Sequence, residues 1–531
     1  MSETSGIEDL GEFDAIVIGT GMAGLMAGNA LVMSGHRTLM LEKHSNPGGC
    51  TMNFERGDYR FEASNHVING CAPGGMTHRL LERVEAQDQV EFIHLESFGR
   101  LVDEERGTDF DLPWELGAHI EMLVESFPHE EAGIRGFYAK YGPMAETLIG
   151  SHGIAESGTA EQLARLAQAA EEYGALAGRK APEVLREFVS DRDLIELMLA
   201  IPSGFMGTSA NVLDASSALM CDLIFRVDGG QAYYPKGGSG HMAQVLADLF
   251  VARGGTLLME QGVSEITFSG GRASGVVSRR RSGRSISARA RCVIHAGDVT
   301  ALANRLCPEG SLPENWVKSI NRRRPSISAA ILFAGLDLDL RALGVTEAEI
   351  SRTWAGQQPP PSFEEVAHDG DYSKQASAMA TIYSNIDPSC CPEGKSVVAT
   401  MVLAVPDRFD ASLGEGRHRG RDYKALKDRL LPQLLDKMER ALGVEDLRSH
   451  AEVLELATPV TIERFTENRG GAYVGWRYSA DQAGNLIPQQ SPVENLFLCG
   501  HWVAPGGGVS NVMTGGLNAA ELAEAYLRRS K

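Results

Sequence analysis

Long apolar runs are missing from this 531-residue chain: no stretch of about eighteen consecutive apolar residues exists, which argues against a membrane-spanning helix. The opening residues 1–12 are acidic and lack the basic and apolar stretches of a secretory leader. A cytoplasmic location is therefore expected, with at most peripheral contact at a membrane surface. Positive charge is also in short supply. Lys plus Arg number 50 against 70 Asp plus Glu, a net charge of −20, which opposes non-specific attraction to nucleic acid, and no nucleic-acid partner is expected. Cysteine is sparse. The eight residues, including the adjacent Cys390 and Cys391, show no paired metal-ligand spacing and suit reduced thiols, so no metal site is expected. The chain is long enough for two or more compact units with a substantial core, and its 59 glycines include rich blocks near both ends.

The first block, Val17-Ile18-Gly19-Thr20-Gly21-Met22-Ala23-Gly24, follows the apolar run 14–18 and leads into residues 25–33, which are apolar and of helical length. Strand, tight turn and helix form the order a dinucleotide requires. Gly19 permits the turn, Gly21 lets bare backbone approach a pyrophosphate, and Gly24 allows close packing of helix on strand, while the helix N-terminus offers amide N–H groups to the phosphates. A second apolar run, 38–41, ends in Glu42, which is suited to accept hydrogen bonds from adenosine ribose hydroxyls and disfavours a 2′-phosphate. A glycine turn alone would be weak evidence; with strand, helix and Glu42 in register, a dinucleotide site is expected.

The residues after Glu42 bear on whether the dinucleotide is NAD or FAD. Lys43-His44-Ser45-Asn46-Pro47-Gly48-Gly49 reads as a turn that brings backbone close to a ligand, and Tyr59-Arg60-Phe61-Glu62 reads as a further strand. Here the chain resembles the FAD-dependent amine oxidase and phytoene desaturase superfamily, and within it the carotenoid isomerase and retinol saturase branch. Where that branch usually carries Phe-Asp-x-Gly, this chain has Phe61-Glu62-Ala63-Ser64, followed by Asn65 and His66. Tyr234-Pro235-Lys236-Gly237-Gly238, a helix over 241–252 and a strand pair closing with Cys292-Val293-Ile294-His295-Ala296-Gly297 resemble the family's second FAD segment. That resemblance implies contacts from Val263 to the adenine and from Gly297 to the cofactor. Thr458-Pro459 and Gly475-Trp476 resemble the segment leading back to the flavin.

Near the C-terminus, residues 496–499 read as a strand that delivers Gly500. A loop, Pro505-Gly506-Gly507-Gly508, precedes a helix opening near Asn511 and Val512, whose N-terminus points at that loop. Relatives often carry an acidic residue after the glycine, where it holds the ribityl chain; here the residue is His501. Two readings fit it, a hydrogen-bonded structural histidine or a proton donor near the isoalloxazine. The resemblance thus implies FAD, bound without a covalent link, by Gly19, Gly21, Gly24, Glu42, Lys43, Gly48, Gly49, Val263, Gly297, Gly500, Gly507, Gly508, Asn511 and Val512. Glu62, His66 and His501 are the candidate proton shuttles.

The expected fold is α/β: a Rossmann-like, GR2-type FAD-binding domain of residues 12–100, 230–300 and 455–531, interleaved with an α+β substrate domain of 101–229 and 301–454, behind a disordered tail 1–11. Helices are expected over 161–176 and 185–201, and strands over 326–336 and 396–405. Residues 194–206 are apolar enough to be a buried helix, to line a tunnel, or to dip into a bilayer surface. Arginines 279–281, 284, 289 and 291, around a hairpin turn at Ser282-Gly283, and arginines 322–324 read as solvated faces or as contacts for anionic lipid.

The resemblance implies hydride chemistry at flavin N5 on carbon–carbon bonds of a hydrophobic, polyene-like substrate, by desaturation, saturation or isomerisation. The alternatives are a flavin amine oxidase, with Trp476, Tyr478 and Trp502 as the aromatic frame, and a non-catalytic binder like the prenyl-protein escorts. Oligomeric state is not legible in the chain.

Overall fold

Strand Ile7–Ile18 lies at the centre of a seven-stranded sheet. The computed structural model describes residues 7–64, 67–151, 158–280, 285–356, 363–484 and 486–530. Thr256–Leu258, Thr38–Leu41, Ile7–Ile18 and Ser285–His295 run parallel, with Leu496–Leu498 added beside Ser285–His295. Arg272–Arg280 and Gln261–Ser269 continue the sheet antiparallel. Ala15, Ile16 and Val17 are wholly buried, the mark of a parallel strand covered on both faces. Helix Met22–Met33 packs against one face, between Ser239–Ala252 and Val509–Arg529.

The expected tail is a correction. Residues 7–11 extend the first strand, pairing Ile7 with Ser285 and Asp9 with Ser287, while the Asp9 carboxylate meets Arg289 at 2.8 Å. Backbone pairing needs no apolar side chains, so an acidic exposed stretch that reads as a tail is a strand; residues 1–6 lie outside the described set. The expected turn at 282–283 lies there too, although Arg279 pairs with Ser285 across it. Several of the arginines have acidic partners: Arg289 with Asp9, Arg291 with Asp14, and Arg324 with Asp481.

A second seven-stranded sheet orders Ala451–Ala457, Ser328–Leu336, Ser396–Ala404, Ser377–Ile382, Glu349–Thr353, Ser97–Asp103 and Thr108–Pro113. The domain boundaries placed at 100 and 455 therefore cut through strands of this sheet. Ala330, Leu332 and Ala334 share a core with Leu430, Leu434 and Met438 of helix Arg421–Leu442, and Ile331 and Phe333 face the opposite way into an aromatic cluster with Phe54-bearing strand Asn53–Arg56. The three-stranded sheet Ile68–Asn69, Ala232–Pro235, Phe92–Leu95 stands apart from both.

The helix expected over 161–176 is Ala160–Gly174, started by a Thr159–Gln162 capping box. The one expected over 185–201 is instead two, Ala181–Leu185 and Arg192–Met206. Asp191 explains the break: its carboxylate accepts from the amides of Asp193 and Leu194, and Glu130 holds the amides of Ser190 and Asp191 at 2.7 Å. Among the described residues, no helix is long and apolar enough to cross a membrane.

Candidate functional site

A cavity of about 1000 Å³ opens where the glycine turns of the first sheet meet the second sheet and the helices Arg192–Met206 and Ala215–Val227. Thirteen of the fourteen residues expected to touch a cofactor line it: Gly19, Gly21, Glu42, Lys43, Gly48, Gly49, Val263, Gly297, Gly500, Gly507, Gly508, Asn511 and Val512. Gly24 lies beneath. A Cβ there would sit 2.1 Å from the carbonyl oxygen of Gly19, so this glycine is required by helix-on-strand contact. A Cβ at Gly21 would meet nothing within 4 Å, because it would project into open space.

That open space fits a pyrophosphate. Helices Met22–Met33 and Val509–Arg529 both begin at glycines that line it, Gly21 and Gly508, and neither has a side-chain cap or an acidic residue in its first turn. Their leading N–H groups are left for an acceptor that is not a side chain. Gly48 and Gly49 hold positive φ of 116° and 61°, and a Cβ on Gly49 would come within 3.3 Å of the Gly21 Cα, so the two turns touch.

Glu42 is more committed than its spacing indicates. Its carboxylate accepts from the Thr20 amide at 2.8 Å, the Thr20 hydroxyl at 2.7 Å and the His44 amide at 2.8 Å. About four acceptor positions exist on a carboxylate, so it retains room for roughly one ribose hydroxyl. Lys43 turns outward, donating to the Arg464 carbonyl at 3.0 Å and pairing with Glu467 at 3.0 Å.

The three proton-shuttle candidates part company. His66 lies outside the described residues. Glu62 is a correction: it is buried, does not line the cavity, and accepts from the Ser239 amide at 2.8 Å, the Ser239 hydroxyl, the Tyr234 hydroxyl at 3.1 Å and Asn53 at 3.1 Å. Burial pushes its carboxyl up against the downward pull of these donors. It ties strand Tyr59–Glu62 to the start of helix Ser239–Ala252. Glu62→Ala would leave these donors facing a void, and a loss of about 3 kcal/mol is expected in denaturant titration, with flavin spectra of the folded fraction unchanged.

His501 does line the cavity, with burial pushing its imidazole down to about 4. Its Nε2 lies 3.2 Å from the Oδ1 of Asn468, which also accepts from the Trp502 indole at 2.9 Å. Asn468 has no sequence signal; it sits in the loop after helix Pro459–Thr466 and gains its partners only through the fold. Beyond this end the wall becomes apolar. Phe54, Ile331, Phe333 and Met401 form one side, and Phe205, Met206, Met220, Ile224 and Phe225 the other. Sequence pattern could have found these, since 331 and 333 alternate along a strand and 220 and 224 share a helix face. Residues 194–206 divide: Leu194, Ile195, Met198 and Leu199 are core, and Phe205 and Met206 reach the cavity.

Comparison with known proteins agrees with this geometry. The family model described as flavin containing amine oxidoreductase matches residues 22–523. Prolycopene isomerase 2, chloroplastic, of an Oncidium hybrid cultivar is 25% identical over 549 residues, covering 99% of this chain and 86% of that protein. All-trans-retinol 13,14-reductase of Danio rerio is 23% identical over 520 residues, covering 92% and 82%. Among solved structures, putrescine oxidase bound to putrescine superposes with a TM-score of 0.63 at 15% identity, covering 97% of this chain and 100% of that one, a likeness of fold. The family match runs almost from end to end, and the chain accordingly belongs to the flavin-containing amine oxidoreductases, as an enzyme whose cofactor is FAD.

Proposed function

We propose that the chain acts on carbon–carbon bonds of an elongated, hydrophobic polyene, as an oxidoreductase or an isomerase. The observation that carries the reading is the continuity of one cavity, glycine-rich and polar at one end and lined by Phe, Ile and Met at the other. In this reading the first sheet and its helices hold the cofactor, and the second sheet with the helices between 116 and 227 holds the substrate. Bound FAD supplies a two-electron hydride acceptor or donor. A polyene offers little to hydrogen-bond, so its hold would come from apolar burial, at about 25 cal/mol per Å². Prolycopene and all-trans-retinol, the compounds in the relatives' names, are both conjugated polyenes. Exposed Leu486 and Phe465 rim the same cavity and suit entry of such a substrate from a lipid surface.

An amine substrate is disfavoured by the placement of the indoles. Trp476 and Trp502 line the cavity together with Tyr478, but the two indoles pack edge to face on each other at 4.7 Å and the Trp476 N–H donates to the Trp502 carbonyl at 2.8 Å, which leaves no room for an amine between them. An escort role without chemistry is at odds with the family to which the chain belongs. The test begins with absorption spectra of the purified protein before and after denaturation, where release of free FAD is expected. Anaerobic incubation with cis and trans polyenes should then give bleaching of the flavin band or a shifted isomer ratio. Peroxide release from amines, with polyenes untouched, would overturn the proposal.

A further inference from the structure

In a chain of net charge −20, positive charge nevertheless collects in one place outside the cavity. A second pocket, of about 740 Å³, opens against the other face of helix Pro459–Thr466. Thr461, Ile462 and Phe465 of that helix line the cavity, whereas Val460, Glu463 and Arg464 line the pocket. The cations of the pocket are Lys43, Arg305, Arg417, Arg419, Arg464 and Arg469, and its carboxylates are Asp298, Glu463 and Glu467. The acids do not neutralise it. Asp298 is buried and committed to backbone, accepting from the amides of Thr300 at 2.6 Å and Arg469 at 2.8 Å. Glu467 is shared between Lys43 at 3.0 Å and Arg305 at 2.8 Å, and Glu463 pairs with Arg417. Among the described residues, no acid forms an ion pair with Arg419 or with the Arg469 guanidinium. The neutral amides of Asn304 and Asn321 bond to each other at 2.9 and 3.0 Å, so the donors left for a ligand are guanidinium groups.

The loop that carries Arg419 is held in place. A backbone bond from the Gly414 amide to the His418 carbonyl at 2.9 Å closes it, and Arg417 bridges Asp410 and Glu463, tying it to the helix. Arg417 keeps a φ of 60° in that position, a left-handed conformation that a residue with a side chain adopts at a cost. A concave excess of guanidinium donors suits a compact anion of high charge, and arginine forks match phosphate oxygens through charge-assisted hydrogen bonds. We propose that this pocket is a second anion site, separate from the dinucleotide cavity, and that it binds a phosphate group. The inference does not depend on the polyene substrate. Two sources carry that chemistry, a soluble phosphate and the headgroup of an anionic lipid. The pocket opens beside Phe465, whose exposed ring stands at the cavity rim with the Arg464 guanidinium over it at 5.6 Å, so a bound headgroup would set the cavity mouth against the bilayer.

The test uses the full chain loaded with FAD, so that the pyrophosphate site is already filled. Inorganic phosphate and pyrophosphate are titrated by calorimetry, and vesicles of phosphatidylcholine with and without phosphatidic acid are tested by co-sedimentation. Saturable binding that weakens with added salt is expected in at least one arm. Soluble phosphate without vesicle binding assigns a soluble ligand, and binding to the phosphatidic acid vesicles assigns a headgroup. Arg419→Glu and Arg469→Glu should each weaken that binding by about tenfold or more, with the flavin spectrum unchanged. Arg419 has no acidic partner to lose, so its replacement leaves the fold intact even if Arg469→Glu does not. Arg186→Glu makes the same change of net charge at an exposed position outside both pockets, just beyond helix Ala181–Leu185, and should bind like the wild type. Absence of saturable binding in both arms would overturn the proposal, as would wild-type binding by Arg419→Glu or an equal loss in Arg186→Glu. If the chain takes up no FAD, the reading of the large cavity fails, and the difference between Arg419→Glu and Arg186→Glu still reports on this pocket.

Discussion

Gly21→Ala folds as stably as the wild type and fails to retain FAD, whereas Gly24→Ala loses stability and cofactor together. The two glycines are three residues apart in one motif, and the structure gives them opposite constraints. Gly21 has φ −61° and ψ 165°, a conformation alanine adopts freely, and its added methyl would meet no protein atom within 4 Å. What that methyl fills is the space before the uncapped amides of helix Met22–Met33, so it competes only with a ligand. A loss of at least about 100-fold in FAD affinity is expected, near 2.7 kcal/mol, with thermal denaturation of the flavin-free protein unchanged. At Gly24 the methyl would stand 2.1 Å from the Gly19 carbonyl oxygen and 3.2 Å from the Ala296 Cβ. No rotamer relieves a clash between a Cβ and backbone, so strand and helix must separate, at a cost of about 3 kcal/mol or more. Unaltered FAD affinity in Gly21→Ala would move the pyrophosphate away from this turn.

That pair also shows why so much of the cofactor end is legible in the chain. Gly19, Gly21, Gly24, Gly48 and Gly508 act through their own backbone, so the reason for each is local and survives in a one-dimensional reading. Glu42 is legible by spacing, but its bonds to Thr20 and His44, which leave room for little more than one ribose contact, come from the folded turn. Glu62 misleads because an acidic residue ending a strand looks the same whether it faces a ligand or a helix start; the partner that decides, Ser239, is 177 residues away. Asn468 is invisible for a related reason, since its three partners belong to residues 50, 501 and 502. The break at Asp191 is hidden by apolar periodicity that runs on through it, and only the side-chain caps reveal two helices.

Strand Ser328–Leu336 offers the sharpest test of the substrate end, because neighbouring positions should fail in different ways. Ile331 lines the cavity and clusters with Phe333, whereas Leu332 is wholly buried in the opposite core with Leu430 and Met438. A carboxylate at 332 would be sealed among apolar side chains with no partner, and Leu332→Asp is expected to yield little folded protein, losing about 4 kcal/mol or more. Ile331→Asp instead projects its charge into the cavity, where water can hydrate it, so the protein should fold and carry FAD normally. An apolar substrate would then have to strip that water and leave the carboxylate unpaired. With a cost of about 4 kcal/mol, kcat/KM toward a polyene should drop roughly a thousandfold while the flavin spectrum stays that of the wild type. Reversion of the effect in Ile331→Leu, which restores apolar volume, would assign the loss to polarity. Wild-type turnover by Ile331→Asp would place the substrate elsewhere, and a gain of activity on cationic amines would instead mark this wall as the one that faces a polar substrate.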